Sequence, residues 1–307
     1  MKLTTTASLA LSLAGAALFV AGPVLASGNA VQTQVAITAP IPDAAQTPNN
    51  PPNPSLPTLY IIGDSTVHNR DRGLLGWGDV IGEYFDPSKI NVVNDALGGR
   101  SSRTFLNEGH WAPIVAQLKP GDFVMMQFGH NDGGPLIGGT GIASIHGTGD
   151  QTAQAPNPKT GQMETVHTYG WYMRNYIATA QAKGATVFVM SPIPRDIWNA
   201  DNTHVGRDMN EYGGWAKDSA DVEHAHFIDL DGLIADRYDA IGEPTVKPLF
   251  FPFNQHTHTG PAGAALNAAC VIQGLLNMPS DPLAADLTPT KEVSVSYFVD
   301  KARAGGQ

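Results

Sequence analysis

From Leu59 onward the chain alternates short apolar runs with amphipathic stretches, and this alternation restricts it to an α/β fold built on a parallel sheet. The apolar runs lie at Leu59 to Ile62, Ile90 to Val93, Phe123 to Phe128, Thr186 to Met190 and His226 to Leu230, each bounded by Gly, Pro, Asn or Asp. They predict a five-stranded parallel sheet. Between them, Met173, Tyr176, Ile177 and Ala180 recur at helical spacing, with Gly184 just past the end to close the helix. Pro261, suited to a first helical turn, opens a second such pattern through Ala265, Ala268, Ala269, Ile272, Leu275 and Leu276. Strand and helix in alternation imply right-handed crossovers and a three-layer α/β/α sandwich of the flavodoxin-like kind. Ligands of such sheets bind beyond the carboxyl ends of the strands, so the chemistry is expected in loops that follow strands.

The segments outside this pattern read differently. Residues 1–26 carry Lys2, an apolar stretch from Leu9 to Val24 and a small-x-small site ending at Ala26, which predicts a cleaved signal peptide and a secreted or periplasmic product. A membrane anchor is the rival reading, but the stretch is short for a span and rich in Ala and Gly. Residues 27–57 are dominated by Pro, Asn, Gln and Ala and read as a flexible or extended linker. The folded domain is expected over 58–279, with a tail over 280–307. Losing Lys2 with the leader takes the formal net charge from -10 to -11, which argues against nucleic acid and gives no support to an anionic membrane as partner. A polyanionic substrate would need local arginines to offset that field. The lone Cys270 excludes an intramolecular disulfide and any cysteine-based zinc site.

Each expected strand exit carries polar residues, and each has an ordinary explanation. Gly63-Asp64-Ser65-Thr66 places a hydroxyl at a strand-to-helix turn, where a nucleophile would be exposed; a helix N-cap also accounts for it. Gly98-Gly99 lets the backbone approach a ligand, or simply turns the chain. Asn131, in Gly129-His130-Asn131-Asp132, can aim its amide at a developing oxyanion or close an Asx-turn. His258 ends a loop just before the Pro261 helix, and with His256 it forms a His-x-His pair that could hold a metal. No Cys accompanies that pair and no Asp or Glu stands beside it, so no metal is expected.

Taken in order, Ser65, Gly99, Asn131 and His258 resemble the four blocks of the SGNH (GDSL) hydrolases. Several longer stretches resemble the rhamnogalacturonan acetylesterase family: IIGDSTVHN at 61–69, GGRSSRTFLNEGHW at 98–111, KPGDFVMMQFGHND at 119–132, SPIPRDIWN at 191–199 and HTHTGPAGA at 256–264. The resemblance implies a serine carbohydrate esterase that removes acetyl groups from a plant cell-wall polysaccharide such as rhamnogalacturonan, with Ser65 as nucleophile and His258 as general base. It further implies an oxyanion hole from the N–H groups of Ser65 and Gly99 and the Asn131 side chain. It requires no metal or organic cofactor, and a monomer is expected.

One position departs from the pattern. The family has an Asp three residues before the catalytic His, and here that residue is Gln255, a neutral acceptor that can orient the imidazole without stabilising its charged form. A neighbouring carboxylate such as Asp229 is an alternative partner. Arg100 and Arg103 are candidates for pairing with galacturonate carboxylates, Trp111 and Trp198 for stacking on sugar rings, and residues 133–167 for a loop over the cleft. Two rival functions share these blocks: another esterase of the same class, acting on xylan, lipids or thioesters, and a carbohydrate-binding protein impaired in catalysis by Gln255.

Overall fold

The computed structural model describes residues 37 to 305, so the expected signal peptide at 1–26 lies outside the described residues. Among the described residues no helix is long and apolar enough to cross a membrane. In chain order the strands are β1 (Thr38–Pro42), β2 (Thr58–Gly63), β3 (Asn91–Asn94), β4 (Phe123–Gln127), β5 (Thr152–Pro156), β6 (Met163–His167), β7 (Thr186–Met190), β8 (His226–Ile228) and β9 (Thr290–Ser294). The α-helices are α1 (Ser102–Asn107), α2 (Trp111–Gln117), α3 (Tyr169–Gln181), α4 (Tyr212–Val222), α5 (Leu230–Ile241), α6 (Glu243–Phe250), α7 (Pro261–Leu276) and α8 (Ser296–Gly305).

The five predicted strands form one parallel sheet in the order β3-β2-β4-β7-β8, the doubly wound arrangement with its switch point between β2 and β4. Every residue of β2 and β4 is buried, as expected of strands covered on both faces. Pleating divides their side chains between two cores. Leu59, Ile61, Met125 and Phe188 pack with α5 and α7 on one face; Tyr60, Ile62, Val124, Met126 and Val189 pack with α1, α2, α3 and α4 on the other. These are the outer layers of a three-layer α/β/α sandwich.

The linker and tail differ from their expectation. From Ile37 the described chain forms one compact unit. β1 and β9 pair antiparallel, drawing the two ends of that unit together, with Ala39, Phe298 and Val299 buried in the first core. The Pro- and Asn-rich run is anchored by hydrogen bonds instead of apolar burial: the Asn91 amide carbonyl accepts from the Asn53 N–H at 2.8 Å, and the Asn91 amide N–H donates to the Asn53 carbonyl at 2.8 Å. Composition measures the capacity to bury apolar surface and says nothing of such bonds.

Residues 133–167 hold the antiparallel hairpin β5-β6, stapled to α1 by Arg103. That side chain is fully buried; it donates to Glu164 at 2.7 Å and to the carbonyls of Gly141 at 3.1 Å, Ala143 at 2.9 Å and Pro156 at 3.3 Å. Arg103 is therefore structural and unavailable to substrate. Trp111 is also interior, its ring edge-on to Tyr176 and its N–H on Thr179.

Candidate active site

The site is built where β2, β3 and β4 leave the sheet. At the end of β2, a Cβ on Gly63 would stand 2.5 Å from the Gln127 carbonyl and 2.6 Å from Val67, so only glycine lets the chain turn there. The turn that follows is fixed by Asp64, which accepts from the Thr66 N–H at 2.8 Å and the Thr66 hydroxyl at 2.7 Å. From Thr58 to Val67 every residue is buried except Ser65, whose hydroxyl is the one group presented to the cleft.

The second exit lies against the first. A Cβ on Gly98 would be 3.5 Å from that of Ser65, and Gly99 has φ +73°, a conformation that only glycine adopts without strain. Among the described residues the N–H groups of Ser65 and Gly99 find no protein acceptor. Asn131, from the third exit, donates through Nδ2 to the Arg100 carbonyl at 3.2 Å, which fixes its amide over the glycine turn and leaves a second N–H free. Asp132 ties the two exits together by accepting from the Ser102 N–H at 3.1 Å, and burial pushes its carboxyl up to about 6.

His258 arrives from the loop before α7. The loop is held by the Leu75 N–H on the Thr259 carbonyl at 2.9 Å, the Asp196 N–H on the His256 carbonyl at 2.8 Å and Arg195 on the Thr257 hydroxyl at 2.9 Å. His258 Nε2 lies 2.7 Å from Ser65 Oγ, and Nδ1 lies 2.6 Å from Gln255 Oε1. A carbonyl oxygen only accepts, so the ring proton sits on Nδ1, and Nε2 keeps a lone pair for the serine hydroxyl. Burial holds the His258 pKa below the usual histidine value; Asp64 and Asp71 oppose this, while Arg195 and His256 reinforce it. The amino end of α7 also disfavours the charged ring.

Five sequence candidates, Ser65, Gly99, Asn131, Gln255 and His258, thus meet at one edge of the sheet. Asp229 does not join them; it caps α5 by accepting from the Gly232 N–H at 2.9 Å. Both ring nitrogens of His258 are occupied, so His256 and His258 make no joint ligand set, and among the described residues no group of His, Cys, Asp and Glu is arranged around a metal position. Arg100 is spent on Glu108 at 3.0 Å, and Trp198 donates to Asp196 at 2.7 Å. The residue that sequence reasoning passed over is Arg195. It stands in the loop after β7, a strand exit like the others, and that position was the available signal.

Residues 61–266 match the GDSL-like lipase/acylhydrolase family. Over 219 residues the chain is 33% identical to a rhamnogalacturonan acetylesterase of Emericella nidulans, a match covering 71% of this chain and 84% of that protein. It is 30% identical to the probable rhamnogalacturonan acetylesterase YesY of Bacillus subtilis, covering 71% of this chain and 91% of the relative. Among solved structures, protein YxiM of Bacillus subtilis superposes with a TM-score of 0.57 at 27% identity, over 72% of this chain and 56% of YxiM.

Proposed function

The chain belongs to the GDSL-like lipase/acylhydrolase family of esterases, and from that premise we propose that it is an exported serine carbohydrate esterase releasing acetyl groups from rhamnogalacturonan. The observation that carries this reading is the continuous hydrogen-bonded line from Ser65 through His258 to Gln255. His258 Nε2 takes the serine proton as Oγ attacks the acetyl carbonyl. The N–H groups of Ser65 and Gly99 and the free N–H of Asn131 meet the charge on the carbonyl oxygen. The intermediate collapses as Nε2 returns the proton to the departing sugar oxygen, and water repeats the cycle on the acetyl-enzyme. The names of the relatives support rhamnogalacturonan as the substrate, and the leader-like residues 1–26 support export.

Acetate release from acetylated rhamnogalacturonan, beside acetylated xylan and a long-chain nitrophenyl ester, tests the reading. Preference for the first is expected. Preference for xylan or the long-chain ester would assign the site to another esterase activity.

Two further outcomes follow from the geometry. Asn131→Ala is expected to lower kcat by about 10²- to 10³-fold with little change in KM, because the donor acts mainly on the developing oxyanion. A pure KM effect would make Asn131 a substrate-binding residue instead. The base works as neutral imidazole, so kcat/KM should rise with pH through the His258 pKa and then level off. Since burial lowers that pKa, the midpoint is expected below 6.5, and a midpoint above it would contradict the site's electrostatics.

A further inference from the structure

Arg195 makes no ion pair among the described residues, although Asp208 lies close enough to feel its charge. Its Nη1 donates to the Thr257 hydroxyl at 2.9 Å and its Nη2 to the His130 carbonyl at 3.1 Å, both neutral acceptors. Among the described residues no carboxylate pairs with it, whereas Arg100 is paired with Glu108, Arg103 with Glu164, and Arg207 with Asp236 and Asp239. A guanidinium has five N–H donors, so most of its hydrogen-bonding capacity is unused. It is half-buried, and it bridges the histidine loop to the exit of β4.

Arg195 also lines a cavity of about 360 Å³ that begins at His130, the sequence neighbour of Asn131, and is within the size range of small-ligand sites. His130, Tyr212 and Asp231 line the same cavity, and each carries a buried polar atom with no partner: His130 Nε2, Tyr212 Oη and Asp231 Oδ1. Each Tyr212 or Asp231 atom left so is costly unless something meets it, and together with the unpaired guanidinium they describe a ligand with both a negative charge and hydroxyls. Exposed Ile197 supplies an apolar wall.

We propose that Arg195 and this cavity form a subsite for a uronic-acid residue of the substrate, the guanidinium pairing with its carboxylate while Tyr212 and Asp231 bond its hydroxyls. The assignment rests on the polysaccharide-esterase reading above. It supplies the local positive charge that the acidic chain needs for a polyanion, a role that Arg100 and Arg103 do not fill. Asp208 and Glu211 share the cavity wall and oppose an anion. Burial pushes Asp231 up to about 7, so around neutral pH that carboxyl is partly protonated, while Asp208, pushed up to about 6, stays mostly ionised and is opposed by the Arg195 charge.

Calorimetric binding of deacetylated rhamnogalacturonan oligosaccharides, native and with their carboxyl groups reduced to alcohols, tests this independently of turnover. The folded full chain and its Arg195→Gln and Arg195→Lys variants are compared. The native oligosaccharide is expected to bind wild type about 10-fold or more tighter than the reduced one, as a charge-assisted pair implies. Arg195→Gln should bind the two alike, and Arg195→Lys should keep part of the preference. Equal binding by wild type, no binding of either, or an unchanged preference in Arg195→Gln would overturn the subsite. Acetate release by wild type from the acetylated oligosaccharide reports separately on the esterase reading: discrimination without turnover would remove that reading alone, and turnover without discrimination would remove the subsite alone.

Discussion

Replacing Ser65 by Ala is expected to lower acetate release by about 10⁶-fold, the loss that follows removal of a nucleophile acting in concert with its base. Ser65 is half-exposed, and among the described residues its hydroxyl bonds only to His258, so the variant should fold with a melting temperature within about 2 °C of wild type. The surrounding turn is held by Asp64 and Thr66, which the substitution leaves untouched. Acetate release near the wild-type rate from a folded Ser65→Ala protein would remove the serine from the reaction.

The second large effect is expected at Gln255, where two substitutions should act in opposite directions. Gln255→Ala takes away the only acceptor facing His258 Nδ1 among the described residues, and the ring loses both its tautomer and its orientation. A fall in kcat of about 10²- to 10⁴-fold is expected, bounded by the loss seen when a triad carboxylate is neutralised in a serine protease. Gln255→Asp should raise kcat/KM, because a carboxylate fixes the same tautomer and also stabilises the imidazolium that forms in the transition state. An amide presents either an oxygen or an N–H, and Gln255 Nε2 has no partner among the described residues to prevent rotation; a carboxylate has no wrong face. The gain should stay well below about 10⁴-fold. The carboxylates of Asp64 and Asp71 already favour the charged ring, and the shorter Asp side chain must still reach Nδ1. Wild-type rates in both variants would show that another group orients His258.

Much of this arrangement is legible in the sequence, for identifiable reasons. The strands of the parallel sheet are covered on both faces, so they read as unbroken apolar runs, and α3 and α7 keep their helical period over 13 and 16 residues. Ser65 and His258 are 193 positions apart, yet a parallel sheet delivers successive strand exits to one edge, so their order was enough to bring them together. Gln255 and His258 are three positions apart within one loop, close enough for their contact to be anticipated.

What was not legible depends on partners that sequence spacing does not encode. Arg103 follows a strand exit just as a substrate-binding arginine would, but its counter-ion Glu164 lies 61 positions on, in a hairpin that the Gly- and Thr-rich composition concealed. The edge pair β1-β9 joins the two ends of the folded unit, and its outward residues are polar enough to pass for linker and tail. Arg195 became visible only once Arg100, Arg103 and Arg207 were each seen to be paired, since an unpaired cation is defined by its surroundings.

The acyl-transfer centre itself is tested most directly by covalent trapping. A serine-directed phosphonate ester should modify wild type once, and peptide mass spectrometry should place the adduct on Ser65. His258→Ala should label far more slowly, because the hydroxyl then has no base. An adduct on another serine, or no adduct in a preparation that releases acetate from rhamnogalacturonan, would contradict the assignment of Ser65 and His258.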